Sequence, residues 1–133
     1  MAVLLGRFVN NSGTNANVLQ IGYDFQIAAP VTEEILGHRA YYSFTGAAGD
    51  WANIPALDSP PAGRLSATVL LPSTWNTGTA LYLLWADDNG SGSPDDANQI
   101  DNFFLTQQAL LIIGNTEMKV RRKIYFLTWF HSA

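Results

Sequence analysis

From Leu19 the chain alternates strictly: Leu19, Ile21, Tyr23, Phe25 and Ile27 are apolar, with Gln20, Gly22, Asp24 and Gln26 between them. A period of two is the pleat of a β-strand with one face buried and the other wet, and a 3.6-residue helix cannot present it as one face. The same alternation returns at Leu65, Ala67, Val69 and Leu71, with Ser66 and Thr68 facing out, and less cleanly over Arg39 to Phe44 and Ala80 to Trp85. Short runs at Val3 to Val9, Gln99 to Thr106, Ala109 to Ile113 and Val120 to Trp129 complete the expected strands. Between them lie turn-forming segments: Asn10 to Asn17, Gly46 to Gly49, Asp58 to Gly63 (DSPPAG) and Asn89 to Pro94. Only Val31 to Gly37 suits a helical turn, with Thr32 as its cap. Many short strands separated by such turns predict an all-β fold, an antiparallel, jelly-roll-like β-sandwich in a single domain.

A chain of 133 residues, 47% hydrophobic and 14% charged, is long enough to bury a core without a staple. With no cysteine it has neither a disulfide framework nor a cysteine-based zinc site. The net charge of −4 argues against a nucleic-acid surface. No apolar run reaches the ~18–20 residues that span a bilayer. Met1 to Gly6 is apolar without a basic start, so no signal peptide is read there. The charge is unevenly spread. Residues 1–106 hold Arg7, Arg39 and Arg64 against ten carboxylates, a balance of −7; residues 107–133 hold Lys119, Arg121, Arg122 and Lys123 against Glu117, a balance of +3.

The most concentrated chemistry lies in Trp85 to Asp101, WADDNGSGSPDDANQID. An apolar strand runs into Asp87 and Asp88, a Gly/Ser loop follows, then Asp95 and Asp96, and Asp101 opens the next apolar run. If the flanking strands pair, Asp87 or Asp88 meets Asp101 at the neck of the loop. Like charges at that range need a cation, a proton or room to separate. Ca²⁺ is the natural counter-charge, and Asp87, Asp88, Asn89, Asp95, Asp96 and Asp101 are its candidate ligands, because carboxylates and amide oxygens are what it accepts. The spacing is not that of an EF-hand: Asn98 stands where a bidentate Glu is required, and the flanks read as strands. A hydrolase would need an acid/base or nucleophile/acid carboxylate pair, for which Asp88, Asp96 and Asp101 are the candidates, but they fall in one hairpin instead of on facing walls. His38 and His131 lack a second ligand at metal spacing and read as solvated loop histidines. No phosphate loop, serine elbow or zinc-protease motif is present.

Aromatics supply a second candidate surface. Trp85 is in phase with Leu81 and Leu83 and reads as core, whereas Trp51 and Trp75 lie in turn-rich segments and, with Tyr42, are candidate contacts for a sugar face. Asn10-x-Ser12 and Asn89-x-Ser91 match the glycosylation sequon.

The stretch Phe8 to Thr106, with FVNNSGT, YDF, GHRAYYSFTGAAGDWANIPAL, PSTWNTGTALYLLWADDN and DDANQIDNFFLT in that order, resembles a jelly-roll-like, all-β accessory module of large exported proteins of environmental bacteria. Asp96, Asp101, Asn102, Phe103 and Leu105 occupy the closing acidic motif of that family. The resemblance implies a non-catalytic module, extracellular or at the cell surface; it defines no ligand, and a glycan or cell-surface polymer as partner is the expectation from the aromatic candidates Trp51, Trp75 and Tyr42. The resemblance stops near Gln108. The chain therefore divides into a sandwich module, 1–108, and a basic, aromatic tail, 109–133, read as an extra hairpin, a membrane-proximal segment or the mark of a truncated copy. The leading expectation is a binding or adhesion module, calcium-stabilised and not an enzyme. The alternatives are a small carbohydrate-active hydrolase and a purely structural spacer.

Overall fold

The computed structural model describes residues 3–29, 37–58, 61–87, 97–113, 116–124 and 129–130. Among them the chain forms β1 (Val3–Val9), β2 (Ala16–Ala29), β3 (His38–Ser43), β4 (Ala52–Asn53), β5 (Gly63–Trp75), β6 (Ala80–Asp87), β7 (Ala97–Ile113), β8 (Thr116–Ile124) and β9 (Trp129–Phe130), with one 3-10 turn at Pro55–Leu57. The strands make two antiparallel sheets, β4-β3-β6-β1-β9 and β5-β2-β7-β8. The all-β sandwich is as expected from the alternation. No helix among the described residues is long and apolar enough to cross a membrane.

β2 is the axis of the second sheet, paired through Ile21↔Ala67 to β5 and Ile21↔Leu105 to β7. Its apolar set, Leu19, Ile21, Tyr23 and Phe25, is fully buried. From the first sheet Leu81, Leu83 and Trp85 of β6, Ala40 and Tyr42 of β3, and Phe8 of β1 complete the core. Aromatic contacts tie the layers: Phe8 stacks on Phe103 at 5.4 Å, and Trp85 meets Tyr23 at 5.9 Å and Phe103 at 5.7 Å, both edge-on. Full burial of such a ring contributes about 1.5–3 kcal/mol, and Phe103, partly buried, contributes less.

Phe103 reaches the core because β7 bulges. The pairing runs Gly22↔Phe104 and then Asp24↔Asp101, so Asn102 and Phe103 together oppose Tyr23. Asn102 takes a left-handed conformation (φ 48°), which Asn tolerates better than most residues. The bulge turns Phe103 inward and leaves Phe104 lying across Gly22, where an added Cβ would strike the Phe104 ring.

The two runs expected at Gln99 to Thr106 and Ala109 to Ile113 are one strand, β7, and the division at residue 108 falls inside it. β8 pairs with β7 from Leu105↔Ile124 to Ile113↔Thr116, and β9 pairs with Leu5 and Gly6 of β1. The C-terminal segment thus adds a strand to each sheet. The helical turn expected over 31–37 lies, apart from Gly37, outside the described residues.

Candidate functional site at one end of the sandwich

β3 starts at His38, just after Gly37, which has a positive φ of 67°. In phase with Ala40 and Tyr42, His38 faces the core and is only 2% exposed. Its Nε2 lies 2.7 Å from the Tyr23 hydroxyl of the opposite sheet, and its ring meets Phe25 edge-on at 4.7 Å. The solvated loop histidine expected from sequence is therefore corrected: an apolar slot between the sheets encloses it. Burial pushes the His38 pKa down to about 4, with the Asp58 carboxylate pulling the other way and Arg39 adding to the fall. Burial also drives the Tyr23 hydroxyl far above the ordinary tyrosine range. At neutral pH the pair is uncharged, and its hydrogen bond joins the two layers.

Further polar groups gather at the same end. His38 pairs in register with Asp87, which is 6% exposed and in phase with Leu81, Leu83 and Trp85 on the core face of β6. His38 Nδ1 and both amide atoms of Asn98 are buried with no hydrogen-bond partner among the described residues. Asp58 anchors the flank, its Oδ1 accepting from the Ala40 amide at 3.1 Å and from Asn53 Nδ2 at 3.1 Å.

Asp101 is elsewhere. β6 belongs to the first sheet and β7 to the second, so the condition for Asp87 and Asp101 to meet at a hairpin neck does not hold. Asp101 is exposed and opposite Asp24 on β2, its Oδ1 accepting from the Asn102 amide at 2.7 Å. Asp24 is bound by Arg64 at 2.8 Å and by Asn102 Nδ2 at 2.7 Å, and these two partners hold its carboxyl below the usual range. A carboxylate held ionised in this way is unsuited to donate a proton. Arg64 also sits over the Phe104 ring, 5.2 Å from its centroid. No three His, Asp or Glu side chains among the described residues converge to hold a metal. Asp88, Asn89, Asp95 and Asp96 lie outside the described residues.

Two of the three aromatic candidates are enclosed. Trp75 is fully buried because β5 runs through Pro72 to its end, pairing Trp75 with Ala16, and its indole N–H donates to the Thr79 carbonyl at 3.0 Å. Tyr42 is 8% exposed, edge-on to Phe44. Trp51 is half-buried just before β4. Asn10 is corrected as a sequon: it is fully buried, and its Nδ2 donates to the carbonyls of Trp75 at 3.0 Å and Thr14 at 2.9 Å. Ser12 bonds Asn10 Oδ1, and Gln107 of β7 donates to Ser12 and Thr14, so this polar turn is a plug for the end of the sandwich remote from His38. Asn89 lies outside the described residues.

The His38–Tyr23 pair was the feature hidden from sequence. The available signal was phase: His38, Ala40 and Tyr42 are alternate positions of one strand. Compared with known proteins, the chain matches no family model, no curated sequence and no solved structure.

Proposed function

We propose that the chain is a non-catalytic, jelly-roll-like binding module of an exported bacterial protein, stabilised by Ca²⁺ at the acidic stretch between β6 and β7. One observation carries the reading: β6 and β7 belong to different sheets, so the stretch 88–96, with Asp88, Asp95 and Asp96, joins one sheet to the other. A cation held there ties together two layers that no hydrogen-bond ladder connects among the described residues. The proposed ligands are Asp88, Asn89, Asp95 and Asp96. Asp87 is set aside because it faces the core against His38, and Asp101 because it lies on the outer face beside Asp24. The export rests on the family resemblance; the glycan or cell-surface partner rests on the aromatic candidates, with Trp51 as the contact, since Trp75 and Tyr42 are committed to the interior.

Thermal unfolding of the whole chain with Ca²⁺ and with a chelator tests the metal part. Ca²⁺ at 100 times its Kd adds about 2.7 kcal/mol and raises the midpoint. Asp95→Asn combined with Asp96→Asn removes that rise without lowering the chelated midpoint. An unchanged midpoint at millimolar Ca²⁺ contradicts the metal part of the reading.

A further inference from the structure

We propose that the outer edge of β8 docks an extended, carboxylate-rich peptide segment of a partner protein, which adds to the second sheet as a further strand. β8 is the terminal strand in the order β5-β2-β7-β8, so β7 uses the hydrogen-bonding groups of one of its edges and no described strand uses the other. That strand reads TEMKVRRKI, four cations against one carboxylate in nine residues, on a chain whose first 106 residues carry −7. The register aligns Lys119, Arg121 and Lys123 with Leu110, Gln108 and Thr106, alternate positions that share one face, while Arg122 aligns with Gln107. The opposite edge of the sheet differs: β5 has a single cation, Arg64, already engaged by Asp24, and carries Pro72, which has no N–H to offer.

Cations on an edge strand ordinarily keep other strands away, since an added basic or apolar strand meets repulsion or desolvation. The same charges favour a strand whose carboxylates fall at alternate positions opposite them, and this repulsion of other strands is what makes an edge selective. Two independent features thus choose the partner. The edge that no described strand pairs asks for an extended peptide backbone and the charges ask for an acidic one; an anionic glycan satisfies only the second. This inference does not depend on the Ca²⁺ reading.

The test is fluorescence anisotropy of a labelled peptide of about ten residues, alternating Glu and Val to match the two-residue period, titrated with the full-length chain. The comparisons are the same peptide N-methylated at alternate residues, polygalacturonate as competitor, and the variants Arg121→Glu and Lys123→Glu, with Arg7→Glu on β1 as control. Saturable binding is expected, about tenfold weaker for each β8 charge reversal, strongly weakened by about 0.5 M salt, lost on N-methylation and unchanged by Arg7→Glu. Equal binding of the N-methylated peptide, or full competition by polygalacturonate at equal charge, shows that charge alone is read and overturns the proposal. So does failure of the unmodified peptide to bind, or sedimentation showing that a second copy of the chain occupies the edge. The N-methyl comparison uses the unaltered protein, so its outcome stands even where a charge-reversed variant fails to fold.

Discussion

At the scale of single residues, the enclosed His38–Tyr23 hydrogen bond makes the strongest quantitative claim. An unfolded chain protonates His38 near the ordinary 6.5, whereas the folded chain keeps it neutral until about pH 4. Between those values the unfolded state binds the extra proton, so stability is unaffected above pH 6.5 and falls as the pH drops through the window. The loss approaches about 3 kcal/mol at its lower end. Denaturant unfolding at a series of pH values checks this, with His38→Gln expected to flatten the slope between pH 6.5 and 5, where few carboxylates titrate. Tyr23→Phe leaves His38 Nε2 buried without its partner at 2.7 Å and is expected to cost about 1–3 kcal/mol at neutral pH. A loss below 0.5 kcal/mol contradicts the account, being less than an unmet buried group costs. From sequence His38 reads as a loop residue because it follows a glycine in a polar context. Its burial is fixed by Tyr23 and Phe25, which lie on another strand.

At the scale of elements, the bulge in β7 does two things at once, sending Phe103 to the core and Asn102 to the Asp24–Arg64 pair. Asn102→Val places a β-branched residue at positive φ and removes the bond to Asp24. It is expected to cost about 1–2 kcal/mol from the backbone alone, and Asn102→Gly less, as equilibrium unfolding would show. Gly22→Val forces Phe104 off the sheet and costs about 1–3 kcal/mol. Period-two patterning located β2, β3, β5 and β6 because each buries one face, and β1 was legible only as a short apolar run. It split β7 in two because Gln107 and Gln108 interrupt the apolar run, yet Gln107 is buried by its bonds to Ser12 and Thr14. Alternation reports which face a residue takes, not which strand lies beside it. That is why Asp87 and Asp101 were expected together and the structure sets them on different sheets.

For the whole molecule, the net charge conceals how charge is placed. Basic residues of the C-terminal segment belong to an edge strand of the second sheet, and the acidic stretch joins the two sheets at the end where His38 and Tyr23 meet. The aromatic readings divide the same way. Trp75→Ala empties a fully buried site and is expected to cost about 3–5 kcal/mol, whereas Trp51→Ala stays within about 1 kcal/mol and affects only binding of a surface ligand. A composition profile distinguishes neither, because both tryptophans sit among turn residues and only the pairing of Trp75 with Ala16 encloses it. The central claim, that a cation binds the link between the sheets, is tested most directly by following backbone amide resonances through a Ca²⁺ titration. The account predicts saturable shifts in residues 88–96 and at their flanks, Ala86, Asp87, Ala97 and Asn98, with Asp24, Arg64 and Asp101 unmoved. A spectrum indifferent to millimolar Ca²⁺, or shifts centred on Asp24 and Asp101, would contradict it.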